Sequence, residues 1–326
     1  MRNDIKVDVA LITKNHESYI EDAVNSLLDQ SIPLNRINIV DDASTDTTND
    51  KLQKIAKKNQ RISLITNTKS LGPSGASNLS LRDLEGDYVL YTSGDDISNP
   101  HRAEIQTSIL RNNPNSNCVI NQVNLIIQSE NLHENQIPKF KSSSKTGLAL
   151  FEELFWTQNF LNASAACFRI GANLIPKFDE SLIHLQDYKL WMELCLKNEI
   201  LINSEVVLGY RVTENSLSQK VNHFKLNLND SNEELFLVFS SFFDRLDLVE
   251  IITIFNPFIE KFKKNDFSFN SKIDLVNFLL LSHNNTFIHK KVIDQLHKNG
   301  SDSVRLLDSF LKKYFFTERL NNYHEL

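Results

Sequence analysis

The sequence predicts an α/β protein: a doubly wound, mostly parallel sheet followed by an α-helical C-terminal region. Three observations carry that reading. Short apolar runs of strand length alternate with amphipathic stretches along the N-terminal part of the chain, the pattern of strands joined by crossover helices. Seven of eight Gly and six of seven Pro lie at or before Gly209. All 21 Phe lie after residue 139, and 15 of them fall between Phe224 and Phe316. Few backbone breakers and many large apolar side chains at spacings of three and four describe packed helices. The divide is expected near residue 220, giving a mixed domain over 1–220 and a helical one over 221–326.

Taken in order, Val7–Thr13 is a buried-strand run. Ser18 and Glu21 have the spacing of a capping box for a helix whose face is Tyr19, Ile20, Ala23, Val24, Leu27 and Leu28. Arg36–Val40 is the second strand, and Thr45 or Asp46 can cap a helix carrying Leu52, Ile55 and Ala56. Arg61–Thr66, then Asp87–Thr92, continue the strands, with a helix over Ser74–Leu84 between them. A helix over Gln186–Lys197 would bury Leu190, Trp191, Leu194 and Cys195. In the tail, Phe236, Phe239, Phe242, Phe243, Leu246 and Val249 recur at helical spacing.

Composition removes several function classes. The 326 residues carry 35 Lys plus Arg against 41 Asp plus Glu, a net charge of −6, which argues against a general affinity for nucleic acid. No apolar run reaches the ~20 residues of a membrane-spanning helix. Cys118, Cys167 and Cys195 are odd in number and lack CxxC spacing, so a reduced, cytoplasmic chain is expected. After the first strand the chain reads Thr13-Lys14-Asn15-His16-Glu17, matching neither a dinucleotide-binding GxGxxG nor a P-loop. Serine-hydrolase and zincin motifs are absent too, and the nine scattered His are read as surface or core residues.

In an open parallel sheet the ligand sits beyond the carboxyl ends of the strands. There the sequence offers Thr13-Lys14-Asn15-His16, Asp41-Asp42-Ala43-Ser44-Thr45-Asp46, Asn67-Thr68-Lys69 and Ser93-Gly94-Asp95-Asp96. Either acidic pair alone is explained by helix capping. Two pairs at the strand ends of one sheet repel each other unless a cation or hydrogen-bond donors compensate. Oxygen ligands of this kind suit Mg²⁺ or Mn²⁺, with a diphosphate supplying further oxygens.

These segments, with Gly75-Ala76-Ser77-Asn78, Phe178-Asp179-Glu180-Ser181, Gln186-Asp187-Tyr188-Lys189-Leu190-Trp191 and Tyr210-Arg211-Val212-Thr213, resemble the family 2 glycosyltransferases in their order over about residues 5–220. The resemblance implies the GT-A fold and a hexosyl- or N-acetylhexosaminyl-type transferase using a nucleotide-sugar, generally a UDP-sugar. It implies a divalent metal, Mn²⁺ or Mg²⁺, inversion at the anomeric carbon, and a saccharide or lipid-linked acceptor in bacterial surface polysaccharide or glycoconjugate synthesis. By the same resemblance Thr13 and Asn15 lie against the base and Asp42 accepts from uracil N3–H. Ser44, Asn67, Lys69, Asn78, Ser93 and Gly94 line the nucleotide-sugar, and Arg211 faces the diphosphate. Asp95 holds the metal, Asp96 and Gln186 face the acceptor, and Asp187 is the catalytic base.

The chain departs from the family pattern at three positions. Ser93 stands for the first aspartate of the DxD motif, Ser77 for an Arg, and Thr213 for a His that can ligate the metal. Those departures support a runner-up, a non-catalytic sugar-nucleotide-binding or assembly subunit. The tail reads as packing within the chain or against a second copy. Its alternative is a membrane-surface contact through an apolar stripe flanked by Lys261, Lys263, Lys264, Lys312 and Lys313.

Overall fold

The computed structural model of the protein describes residues 5–128, 137–170, 175–212, 228–263, 271–283, 288–292 and 294. It separates into two units, Met1–Asn227 and Leu228–Leu326. Thr213, Lys264, Lys312 and Lys313 lie outside the described residues, as do the side chains of Lys261 and Lys263.

The first unit opens with β1 (Val7–Thr13), α1 (Ile20–Leu28), β2 (Arg36–Asp41), α2 (Thr48–Lys58), β3 (Ile62–Thr66), α3 (Gly72–Ser80) and β4 (Tyr88–Ser93). It continues with β5 (Ile97–Ser98), α4 (Arg102–Asn112), β6 (Cys118–Ile127), α5 (Gly147–Thr157), β7 (Ala166–Arg169), α6 (Gln186–Leu196) and β8 (Ile200–Val212). The eight strands form one sheet in the order β3-β2-β1-β4-β7-β6-β8-β5. The pairs β2–β3, β1–β2 and β1–β4 are parallel, so Thr13, Asp41, Thr66 and Ser93 end at one edge. β7 runs antiparallel to both β4 and β6, and β8 lies parallel to β6. The two-residue β5 leaves the end of β4 and pairs antiparallel with Leu208 and Gly209 of β8, which brings Arg211 back to the same edge. This is the GT-A type of doubly wound sheet.

Apolar alternation explains the core. Val7, Val9, Leu11, Ile37, Ile39 and Leu90 are fully buried on the face covered by Ile20, Val24 and Leu27 of α1. Cys118, Cys167 and Cys195 are buried and free.

Two local expectations are corrected. Ser18 and Glu21 make no capping box: Tyr19 is the N-cap, the Tyr19 and Ile20 N–H groups donate to the His16 carbonyl at 2.9 Å, and Glu21 instead accepts from Lys51 Nζ at 2.8 Å. The third helix covers Gly72–Ser80, because Pro73 pre-sets the first turn and Asp83 turns the chain left-handed at φ 57°.

The second unit contains α7 (Leu228–Arg245), α8 (Leu248–Lys263) and α9 (Lys272–Ser282). Phe239, Phe242, Phe243, Phe255 and Phe278 are buried, and the Phe243 and Phe255 rings stand 6.0 Å apart. Val249 does not join them; it is 71% exposed in the first turn of α8. Among the described residues no helix is long and apolar enough to cross a membrane.

Candidate active site

At the end of β4 the chain turns through Ser93-Gly94-Asp95-Asp96. Gly94 is there because nothing larger fits: a Cβ on it would come within 2.5 Å of Thr13 Oγ1 and 2.6 Å of Thr13 Cβ. That approach sets the Asp95 loop directly on the end of β1. Ser93 Oγ donates to Asp95 Oδ1, while Asp95 Oδ2 faces His16 Nε2 at 3.7 Å. His16 is oriented from below by Thr13 Oγ1, which lies 3.1 Å from its Nδ1.

Arg211 closes this cluster from β8. Its Nε donates to the Asp95 carbonyl at 2.9 Å, and its guanidinium lies 4.6 Å above the Tyr19 ring centroid. Asp96 points inward, away from any acceptor, and its Oδ1 accepts the Arg211 N–H at 2.9 Å. Burial, then the neighbouring Asp95 charge, push Asp96 well above the usual carboxylate range. Beneath it Arg102 is fully buried, donating to Gln106, Ser98 and the carbonyls of Tyr91 and Ala166. Burial brings Arg102 down to about 10. Asp96 is therefore a tie between the loop and β8 rather than the acceptor-facing group expected from the sequence.

The neighbouring loops at β1 and β2 are stitched together. Asn15, with φ 55°, donates its N–H to Ser44 Oγ at 2.9 Å and accepts from Thr45 N–H at 2.8 Å. Ser44 in turn donates to Asp41 Oδ1. Asp46 accepts from Thr48 N–H at 3.0 Å, but the N-cap of α2 is Thr47, one residue past the two candidates expected from the sequence. Asp42 is 4% exposed, and both of its oxygens are occupied. Asn67 and the Leu71 N–H donate to Oδ1, Ser70 and the Gly72 N–H to Oδ2. Burial would raise this carboxyl, but those four donors together hold it below its ordinary value. A carboxylate has about four acceptor sites, so none remains for uracil N3–H, and the sequence-based role of Asp42 is corrected to holding the 67–72 loop. Lys69 is exposed on that loop.

On the other side of β4, Asp187 occupies the first turn of α6, whose N-cap is Leu185. Its Oδ1 accepts the Tyr188 N–H at 2.7 Å, and its Oδ2 accepts from Asn159 Nδ2 at 3.0 Å. Burial raises its pKa to about 6 in spite of these donors. Tyr91 of β4 feels the Asp187 charge, and its hydroxyl is 2.6 Å from Ser77 Oγ. Ser77 thus fills the position of the expected Arg with a buried hydroxyl pair. Asn78 does not face the nucleotide-sugar edge freely: it donates to the Phe178 carbonyl and Glu180 at 2.9 Å and accepts from Phe178 N–H at 2.8 Å. With Ser74 bonded to the Leu182 carbonyl at 2.8 Å, α3 fixes the segment leading into α6. Lys189 is paired with Asp179, whose carboxyl it holds down to about 2, and a cleft of about 490 Å³ opens here over Phe178, Gln186, Leu190 and Glu193. Gln186 Oε1 is buried without a hydrogen-bond partner among the described residues. Trp191 is core, stacked 6.1 Å from Phe168.

The family model described as "Glycosyl transferase family 2" matches residues 8–169, which include the loops after β1, β2, β3 and β4 but end before Asp187 and Arg211. The chain belongs to the family 2 glycosyltransferases. One relative of this glycosyltransferase is the Escherichia coli protein WfgD, 26% identical over 227 residues, covering 68% of this chain and 83% of the relative. WfgD is named UDP-Glc:α-D-GlcNAc-diphosphoundecaprenol β-1,3-glucosyltransferase. Among solved structures, S. aureus TarS 1–349 in complex with UDP superposes with a TM-score of 0.59 at 19% identity, over 91% of this chain and 92% of that one. The mannosyltransferase PcManGT from Pyrobaculum calidifontis, in complex with GDP-Man and Mn²⁺, gives 0.53 at 16% identity, over 95% and 81%. These two likenesses show the fold.

The structure gathers Thr13, Ser93, Gly94, Asp95, Asp96 and Arg211 in one cluster and Asp42, Ser44, Asn67 and Asn15 in the adjoining wall. It also brings in two groups that sequence reading passed over. His16 reaches Asp95, although the only signal was its place three residues past Thr13. Asn159 reaches Asp187 from the segment after α5, with no local signal at all.

Proposed function

We propose that this glycosyltransferase moves a sugar from a UDP-sugar to a hydroxyl of a lipid-linked saccharide, with inversion and with a divalent metal, in bacterial polysaccharide synthesis. The observation that carries the reading is Asp187, a buried carboxylate with its pKa raised to about 6, whose charge is felt by Tyr91 of β4, the strand that leads into Asp95. A group of that pKa is deprotonated at neutral pH yet still basic enough to take a proton as an alkoxide develops. WfgD's printed donor and acceptor, and the UDP of the TarS complex, supply the substrate classes.

In this scheme Asp187 removes the acceptor O–H proton, the oxygen attacks the anomeric carbon from the face opposite the diphosphate, and the bond to the β-phosphate oxygen breaks. UDP leaves with the electron pair, and Asp187 ends protonated. A single carboxylate suffices, whereas a glycosidase needs a pair. Gln186, which lines the cleft over Phe178 and Leu190, takes the acceptor side in this scheme. Arg211 offers a planar fork to the diphosphate, and the Asp42-bound loop shapes the wall against which the nucleoside lies.

The donor set fits a hard divalent cation: Asp95 is partly exposed, carries one oxygen turned away from Ser93, and sits where Gly94 keeps the floor open. Among the described residues no three His, Cys, Asp or Glu side chains are grouped to hold a metal ion, so the proposed ion takes its remaining oxygens from substrate phosphates. When bound, the ion offsets charge developing on the departing diphosphate. Release of UDP from UDP-glucose or UDP-GlcNAc tests the reading. Turnover with Mn²⁺ or Mg²⁺ that Asp95→Ala abolishes is expected. No release from any UDP-sugar, with or without an undecaprenyl-diphosphate saccharide, contradicts it.

A further inference from the structure

We infer that His16 is a second protein ligand of the divalent cation, coordinating through Nε2 beside Asp95, and that it gives the site a preference for Mn²⁺ over Mg²⁺. The inference rests on the metal-assisted reading above and goes beyond it to the identity of the ion.

The geometry is built rather than incidental. The His16 backbone is held at both ends: its N–H donates to Thr48 Oγ1 at 2.9 Å, and its carbonyl accepts the first two N–H groups at the start of α1. Its ring is then set by Thr13 Oγ1 on Nδ1, which leaves Nε2 facing Asp95 Oδ2 at 3.7 Å with no hydrogen bond among the described residues. That separation is too long for a hydrogen bond. It is short enough for both donors to reach one ion, since each metal–ligand bond is ~2.1 Å. Both side chains are part-buried, at 22% and 14% exposure, so each keeps an open side toward the strand edge.

Ser93 explains why a second ligand is needed. It stands where a carboxylate is expected, and its hydroxyl is engaged in orienting Asp95 Oδ1. The loop therefore supplies one carboxylate, and the imidazole makes good the missing donor from the segment after β1. Thr13 plays the part that outer hydrogen bonds play around metal-bound imidazoles. Its hydroxyl lies 3.1 Å from Nδ1, and in the tautomer where it accepts from Nδ1–H the Nε2 lone pair is left for the ion. A nitrogen donor moves preference away from Mg²⁺, which favours an all-oxygen shell, toward Mn²⁺ and later transition ions.

The test uses the full chain with UDP and Mn²⁺, read by electron paramagnetic resonance. A ¹⁴N coupling to bound Mn²⁺ is expected in the wild type and should vanish in His16→Gln, which keeps a polar side chain near Thr13. Mn²⁺ affinity in His16→Gln and His16→Ala should fall by about tenfold or more, and Mg²⁺ affinity by less. Wild-type-like nitrogen coupling or Mn²⁺ affinity in both variants, with binding lost in Asp95→Ala, overturns the role of His16 alone. Equal weakening of UDP binding with and without metal would make His16 a phosphate donor instead and also overturns it. Failure of the wild type to bind Mn²⁺ with UDP sinks the metal-assisted reading itself.

Discussion

The side-chain amide of Asn159 donates to Asp187 Oδ2 at 3.0 Å, so the carboxylate read as the base is held by a residue that precedes it by a whole strand. Burial alone would raise Asp187 further; the Tyr188 N–H and Asn159 favour the charged form and pull it back toward its ordinary value, leaving it at about 6. The site thus sets basicity by opposing two effects.

Asp187→Asn should lower transfer by ~10²–10⁴-fold while leaving UDP binding close to wild type. In the wild type, kcat/KM should rise through pH 6 and level off above it. A stability difference accompanies this. The folded pKa of about 6 exceeds the ordinary 3.8, so the native state binds the proton more tightly across that window. Stability contributed by the protonated group is therefore present at low pH and lost as pH rises through 6. Asp187→Asn should gain Tm relative to wild type at pH 8 compared with pH 4.5; wild-type transfer rates in the variant would remove the base assignment.

Asn159→Ala deletes the hydrogen bond that favours the charged form. The acid limb of the pH–rate profile should move upward by about 0.5–1 unit, the equivalent of one ordinary hydrogen bond. Activity should be depressed at pH 6 and largely restored at pH 8.5. A uniform loss at all pH values would show that Asn159 acts only on shape.

Gly94→Ala should be far more damaging than its size suggests. The new Cβ meets Thr13 Oγ1 at 2.5 Å and Ile20 Cδ1 at 2.9 Å, so the Asp95 loop must lift off β1. We expect a destabilisation of ~1–3 kcal/mol and loss of UDP-sugar binding in calorimetry. Retained affinity would mean that the loop's seat on Thr13 is unimportant for the donor.

Much of this was legible in the sequence because it rests on local periodicity and on residues at strand ends. Val7–Thr13 is seen as predicted, and the Gln186–Leu196 helix buries the predicted face, with Leu190, Trp191, Leu194 and Cys195 inside. What was not legible depends on who meets whom across the sheet. Asp42 looked free to bind a base because nothing local shows Ser70 and two backbone N–H groups reaching back to it. Asp96 looked outward-facing because its partner, the Arg211 N–H, arrives through the β5–β8 pairing 115 residues later. Val249 matched an apolar repeat that stops one turn before it, at Leu246, where the chain breaks between α7 and α8.

Asp42→Ala would orphan four donors. It should cost ~3–6 kcal/mol, the equivalent of about two hydrogen bonds to a charged acceptor, and should loosen the 67–72 loop in hydrogen exchange. Asp42→Asn should recover part of the stability, since an amide oxygen still accepts. If Asp42→Ala instead left stability unchanged and removed only uridine selectivity, a direct contact with the base would be the better account.

The most direct test of the central claim is a crystal structure of the chain grown with UDP and Mn²⁺. The account predicts the diphosphate between Asp95 and Arg211, with the uridine over the Thr13 and 67–72 loops and Asp187 across β4. UDP seated elsewhere, for example in the Phe178–Glu193 cleft, or a fully saturated crystal with no UDP bound, would contradict it.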